Sequence, residues 1–169
     1  MRNLITYEEI SQLARPCTTD RDMAEALIAE AQRVEIKPRL GDALYLKLIE
    51  AEPEDRFRIL LDGGIWAGGC GDNMLTGVKT ALAYYALARI IRDGNIQATT
   101  YGSVVKDDQY STDPERTERQ RQYRELFSQA DSYMAEALTY LARNCRTFPE
   151  YKVQGKMRSN RTTVKIIGR

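Results

Sequence analysis

The chain has no histidine. That removes the commonest general base and the commonest transition-metal ligand, so neither a Ser-His-Asp nor a Cys-His site can be assembled from it alone. Its three cysteines, Cys17, Cys70 and Cys145, are odd in number and widely spaced. They form no CxxC pair, so neither a disulfide framework nor a cysteine zinc site is expected. No apolar run approaches the roughly 18 residues that span a bilayer, so no membrane partner is expected. The first residues, MRNLITYEEI, lack the apolar core of a secretory signal and read as the start of a soluble intracellular protein.

Acid is missing from one part of the chain. All 24 Asp and Glu residues lie at or before Glu150. After Tyr151 come Lys152, Lys156, Arg158, Arg161, Lys165 and Arg169, so a body of net charge −5 carries a purely basic tail. With 169 residues the chain has enough length for one domain with its own core. The organisation read from this pattern is a helical domain over 1–151 with an arm at about 96–112, then a basic extended arm over 152–169.

The pattern that remains is helical. Thr6-Tyr7-Glu8-Glu9 is a capping box opening a helix to about Leu13. Thr18-Thr19-Asp20 caps a second helix, with Met23, Leu27, Ile28, Ala31 and Val34 at helical spacing. It is predicted to stop before Pro38, because proline pushes its predecessor out of the helical region. Gly41-Asp42 turns the chain, with Asp42 as the next cap, and Leu44, Tyr45, Leu48 and Ile49 mark a short third helix. Pro53 suits the first turn of a fourth, with Phe57, Leu60 and Leu61 inward. Leu75–Ile91 is the most apolar segment and reads as a central helix contacted on more than one face. Asp93-Gly94-Asn95 ends it.

Residues 96–112 have no helical period, and Thr99, Thr100, Tyr101, Val104 and Val105 favour extended backbone. They read as a long loop or a β-hairpin arm. A long helix from about Thr112 to Asn144 follows, polar in its first half and amphipathic in its second, through Leu126, Phe127, Ala130, Met134, Ala137 and Leu141. The polar half is expected to pass beyond the core or lie against a partner. Thr162–Ile167 favours strand, and its expected fates are disorder or addition to another chain's sheet. The fold class is therefore mainly α: a bundle of about five to six helices with an extended or hairpin arm and an extended C-terminal tail.

Chemistry-bearing motifs are scarce. Leu60–Asn73, LLDGGIWAGGCGDN, is rich in glycine, but it ends in Gly71-Asp72-Asn73 where a P-loop needs Gly-Lys-Ser/Thr. A helix precedes it where a dinucleotide fingerprint needs a strand. It reads as an inter-helix turn, with Trp66 either packed or offered to a partner. The acidic pairs Glu8/Glu9, Glu52/Glu54/Asp55 and Asp107/Asp108 have the spacing of solvated surface rather than of a site. Arg116, Arg119, Arg121 and Arg124 alternate with Glu115, Glu118 and Glu125, which favours pairing along the helix. No catalytic residue, metal ligand or cofactor is assigned.

Several stretches carry a resemblance. LIAEAQRVEIKPRLGDALYLKL, LLDGG, GVKTALAYYALARII, TTYGSVVKDDQYS and FPEY together resemble the small helical head–tail connector, or adaptor, proteins of tailed phages and prophages of gut bacteria. The similarity covers roughly residues 20–151. It implies a helical bundle with protruding loops, assembled with copies of itself into a ring, commonly twelvefold, below the portal protein. Such a ring extends the DNA channel without sequence-specific binding and meets other neck or tail proteins. It also implies a place in the virion neck, reached by assembly in the host cytoplasm. Interface candidates are Trp66, then Tyr101, Lys106 and Tyr110 of the arm, then Lys156, Arg158, Arg161, Lys165 and Ile166 of the tail. The alternative is a nucleic-acid-binding accessory protein that uses the basic tail.

Overall fold

The computed structural model describes residues 2–50, 54–68, 71–93, 96–99, 102–105 and 116–152. The fold is mainly helical. Helix α1 (Tyr7–Leu13) opens with the predicted capping box: the Thr6 side chain accepts from the Glu9 amide, and Glu9 accepts from the Thr6 amide at 2.8 Å. Asp20 caps α2 (Arg21–Ala31) by accepting from the Met23 amide at 3.0 Å.

The predicted stop before Pro38 does not occur. A π turn over Gln32–Ile36 continues α2 directly into α3 (Lys37–Leu40). The Lys37 amide reaches back to the Gln32 carbonyl, five residues earlier. Such a widened turn accommodates what a tight α-turn cannot, because proline lacks an amide and its ring crowds the carbonyl four residues back. The extra residue also shifts the helical phase. Val34, in line with Leu27 and Ala31 by sequence spacing, is 52% exposed, whereas Gln32 and Ile36 turn inward. Gln32 is satisfied there: it donates to the Tyr45 hydroxyl at 2.7 Å and to the Arg2 carbonyl at 3.1 Å, and accepts from the Leu4 amide at 2.8 Å.

Gly41, at φ 81°, supplies the turn into α4 (Asp42–Leu48). Gly41 is thus the cap residue, and Asp42, read as the cap from sequence, is the first helical residue and pairs with Lys37 at 3.5 Å. A 3₁₀ turn over Asp55–Phe57 leads into α5 (Arg58–Asp62), with Phe57, Leu60 and Leu61 buried as predicted. Pro53 lies outside the described residues.

Strands β1 (Gly64–Gly68) and β2 (Gly71–Leu75) form an antiparallel hairpin where the sequence pattern predicts an inter-helix turn. Helix α6 (Val78–Asp93) follows, starting three residues later than the sequence reading. A second antiparallel hairpin, β3 (Ile96–Thr99) with β4 (Gly102–Val105), occupies part of the predicted arm. Helix α7 (Arg116–Arg143) completes the described fold.

Helix α6 is the centre. Its residues Val78, Ala81, Leu82, Ala83, Tyr85, Ala86, Leu87 and Ala88 are all buried, and α1, α2, α5 and α7 all pack on it. Four buried alanines leave room for close approach from several sides, while Leu126, Ala130, Met134, Ala137 and Leu141 supply the facing stripe of α7. Polar groups enter this core in pairs. Arg89 is 4% exposed and contacts Glu30 at 3.4 Å and Glu35 at 3.2 Å. The Tyr85 hydroxyl donates to Asp131 at 2.5 Å and accepts from Arg39 at 2.6 Å, while Arg39 also pairs with Asp131 at 2.7 Å. A buried Arg89 left alone would be strongly destabilising, so Glu30 and Glu35 are a condition of its packing, whereas Arg39 and Asp131, both part-exposed, meet Tyr85 at the rim of the core.

Candidate interaction surfaces

Both hairpins are set by α6. One enters its N-terminus and the other leaves its C-terminus, so sixteen helical residues separate them. At a 1.5 Å rise per residue that is about 24 Å.

The β1–β2 hairpin is pinched at its base by two glycines. Gly63 ends α5 at φ 87°, and its amide donates to the Ile59 carbonyl at 3.0 Å. A Cβ on Gly63 would lie 2.6 Å from the carbonyl oxygens of Leu75 and Thr76. A Cβ on Gly77, at φ 97°, would lie 2.6 Å from the Gly63 nitrogen and 2.7 Å from the Leu61 oxygen. Backbone thus crosses backbone at a distance that no side chain permits. Beside the crossing, Glu136 of α7 accepts from the Thr76 hydroxyl at 2.7 Å and from its amide at 3.3 Å.

The two faces of the hairpin differ, as strand alternation requires. Trp66 faces the body. It packs edge-on against Tyr140 of α7 at 5.1 Å, and the Arg143 guanidinium lies 5.9 Å from its ring centre. Of the two roles left open for Trp66, packing is the one observed. Ile65 and Met74 are directly paired across the strands and stand on the opposite face, 71% and 80% exposed. Ala67 and Asp72, the next pair on that face, are exposed too.

Tyr140 connects this hairpin to the point where the tail leaves. Phe148 is buried against Tyr140 at 5.6 Å and against Phe57 at 5.9 Å. Arg56 fixes the segment by donating to the Thr147 carbonyl at 2.7 Å and to both Glu150 carboxylate oxygens, at 2.6 and 3.2 Å. These hydrogen bonds hold the Glu150 carboxyl below its ordinary range and the Arg56 guanidinium above its own. Tyr140 is held up by burial.

At the other end, the polar half of α7 behaves as its mixed charges predict. Glu118 pairs with Arg121 at 2.9 Å and accepts from Gln122 at 3.2 Å, and Arg121 lies 3.8 Å from Glu125. Tyr123 receives Arg92 of α6 over its ring at 4.8 Å, so this half is anchored to the end of α6. An open cleft of about 310 Å³ there is lined by Arg92, Asp93, Arg116, Arg119 and Gln120.

Among the described residues no group of His, Cys, Asp and Glu could hold a metal ion. Glu8 pairs with Arg21 at 3.3 Å, Glu9 caps α1, and Glu54 pairs with Arg56 at 2.7 Å. Cys17 and Cys145 are free thiols. No helix is long and apolar enough to cross a membrane among the described residues.

Tyr101, Lys106, Tyr110, Lys156, Arg158, Arg161, Lys165 and Ile166 lie outside the described residues, as do Cys70, Glu52, Asp107 and Asp108. Sequence reading missed the first hairpin. Its signal was present: Ile65-Trp66-Ala67 and Asp72-Asn73-Met74 flank a glycine-rich connection, and the pairing of Gly68 with Gly71 leaves a two-residue link, Gly69-Cys70.

The family described as "Family of unknown function (DUF6712)" matches residues 36–161, and the chain belongs to it. The matched region runs from the end of the π turn through both hairpins, α6 and α7. No curated protein matches the chain, and no solved structure does.

Proposed function

We propose that this chain is a virion structural protein, a head–tail connector that assembles into a ring, dodecameric by resemblance, between the portal and the tail. Its role is binding, with no catalytic residue and no cofactor assigned. The observation that carries the reading is the pair of unlike hairpins at opposite ends of one central helix. A closed ring built by head-to-tail contacts needs two different surfaces on every copy. The β1–β2 hairpin, with its apolar outer face, and the β3–β4 hairpin are offered as two such surfaces. The sequence resemblance to phage adaptor proteins supplies the setting: the virion neck, with the portal and other neck or tail proteins as partners. DNA passes through the channel without sequence-specific contact. In this reading the arm with Tyr101, Lys106 and Tyr110, and the tail with Lys156, Arg158, Arg161, Lys165 and Ile166, reach neighbours.

Negative-stain electron microscopy and native mass spectrometry of the full chain, alone and with its portal, test this. Discrete rings are the expected result. A monomer that ignores the portal, or phage particles lacking the chain at the neck, would refute it. The six cations after Tyr151 support one second reading, a nucleic-acid-binding accessory protein. That reading requires binding that falls steeply with salt and is lost when the chain is cut after Tyr151.

A further inference from the structure

Ile65 and Met74 are large, apolar, adjacent and exposed, on a sheet that has two strands among the described residues. A two-stranded sheet has open edges on both sides, and an open edge beside apolar side chains is a template for another strand. We propose that an open edge of the β1–β2 hairpin, beside its apolar outer face, is the docking site for the C-terminal segment Thr162–Ile167 of a neighbouring copy, which adds there as a third strand. The choice of a neighbour's segment over the chain's own rests on the ring reading above.

Composition and reach identify the occupant. Thr162–Ile167 has the β-branched composition of a strand, within a chain that otherwise favours helix. Residues two apart share a face, so Val164 and Ile166 extend the row formed by Ile65 and Met74. The tail that carries this segment has six cations and no acid after Tyr151, whereas the body up to Tyr151 is acidic. The tail departs from a fixed root, Phe148 held between Phe57 and Tyr140 with Glu150 held by Arg56. From Lys152, the nine residues 153–161 span up to about 30 Å when extended, enough to cross from one copy to the next. The inner face of the hairpin is already fixed by Trp66 on Tyr140, so a strand that adds at the edge meets a supported sheet and carries its apolar row along the outer face.

A photocrosslinking amino acid, p-benzoylphenylalanine, placed at position 74 of the full chain tests this under conditions where the oligomer is measured in parallel. Irradiation is expected to give a ladder of covalent multimers. Peptide mass spectrometry is expected to find the junction between the hairpin and residues 162–167. Ile166→Asp in the same chain should abolish the ladder while leaving the helical circular dichroism unchanged, as should truncation after Lys152. Rings without this junction would overturn the docking site and leave the connector reading intact. A junction confined to monomers would also overturn it, because the tail would then lie on its own hairpin. Absence of both rings and junction would remove both readings.

Discussion

Gly77 and Gly41 offer a controlled comparison of two costs that usually arrive together. Both have positive φ, 97° and 81°, and Gly41 combines it with ψ 153°, a region that is essentially glycine's own, so alanine there is strained by about 1–3 kcal/mol. At Gly41 nothing lies within 4 Å of the added Cβ, so that strain is the whole folded-state cost. Restriction of the unfolded chain offsets about 0.4–1 kcal/mol of it. At Gly77 the new carbon meets the Gly63 nitrogen at 2.6 Å, the Leu61 oxygen at 2.7 Å and the Asp62 carbonyl carbon at 2.8 Å. All three are backbone atoms, which cannot rotate aside. Relief requires the base of the hairpin to open, which disturbs the contact of Thr76 with Glu136 and the seat of Trp66 on Tyr140. Gly77→Ala is therefore expected to cost about 3 kcal/mol or more, at the top of the usual range for single substitutions. For a chain of this size that lowers Tm by about 6–12 °C, and Gly41→Ala, which meets no backbone atom, is expected to lose less. Circular dichroism reads the whole fold, and the emission of Trp66, the single tryptophan, reads the hairpin. Equal losses in the two variants, with Trp66 emission unchanged in Gly77→Ala, would refute the claim that backbone crossing at this neck sets the hairpin.

Two pH predictions follow from ionisable groups in the packing. Arg56 holds the Glu150 carboxyl below its ordinary value of 4.5, so the pair stabilises the fold above that pH and the contribution is lost as pH falls through the lower folded value. Glu150→Gln should flatten the acid limb of a urea-midpoint-against-pH curve; an unchanged limb would show that the pair carries no linkage. Burial, followed by the hydrogen bond to Asp131, pushes the Tyr85 phenol well above its ordinary 10.0, so stability is full below that value and declines as pH rises past it, when the unfolded chain ionises more readily. Tyr85→Phe should weaken this alkaline decline while destabilising the protein at pH 7 by about 0.5–1.5 kcal/mol, the net worth of a hydrogen bond whose partners Arg39 and Asp131 can turn to water. Identical alkaline limbs for the two proteins would contradict the assignment.

Much of the helical framework was legible in the residues. The capping box at Thr6, the cap at Asp20, the alanine-rich α6 and the stripe on α7 are local patterns, and local patterns fix local helices. The errors have tertiary causes. Pro38 argues for a stop, yet packing of Ile36 and Leu40 into the core keeps the helix going, and the π turn absorbs the misfit. Val34 lies on the apolar stripe by count, and only the phase shift of that turn puts it outside. Arg89 lies in the most apolar helix, and its burial is possible only because Glu30 and Glu35 arrive from another part of the chain.

The interaction surfaces divide in the same way. Sequence alone determined that the chain lacks histidine, that its acids stop at Glu150, that its tail is basic, and that the segment around Thr99–Val105 would extend. Each is a statement about composition or near neighbours. Tertiary structure decided that the glycine-rich segment is a hairpin, that Trp66 turns inward to Tyr140, and that Ile65 and Met74 are left in solvent. Those outcomes depend on Gly63 meeting Gly77 and on α7 returning antiparallel to bring Tyr140 and Glu136 to the hairpin. Contacts between residues some seventy positions apart arise from the closing of the chain on itself, and no window along the sequence contains them.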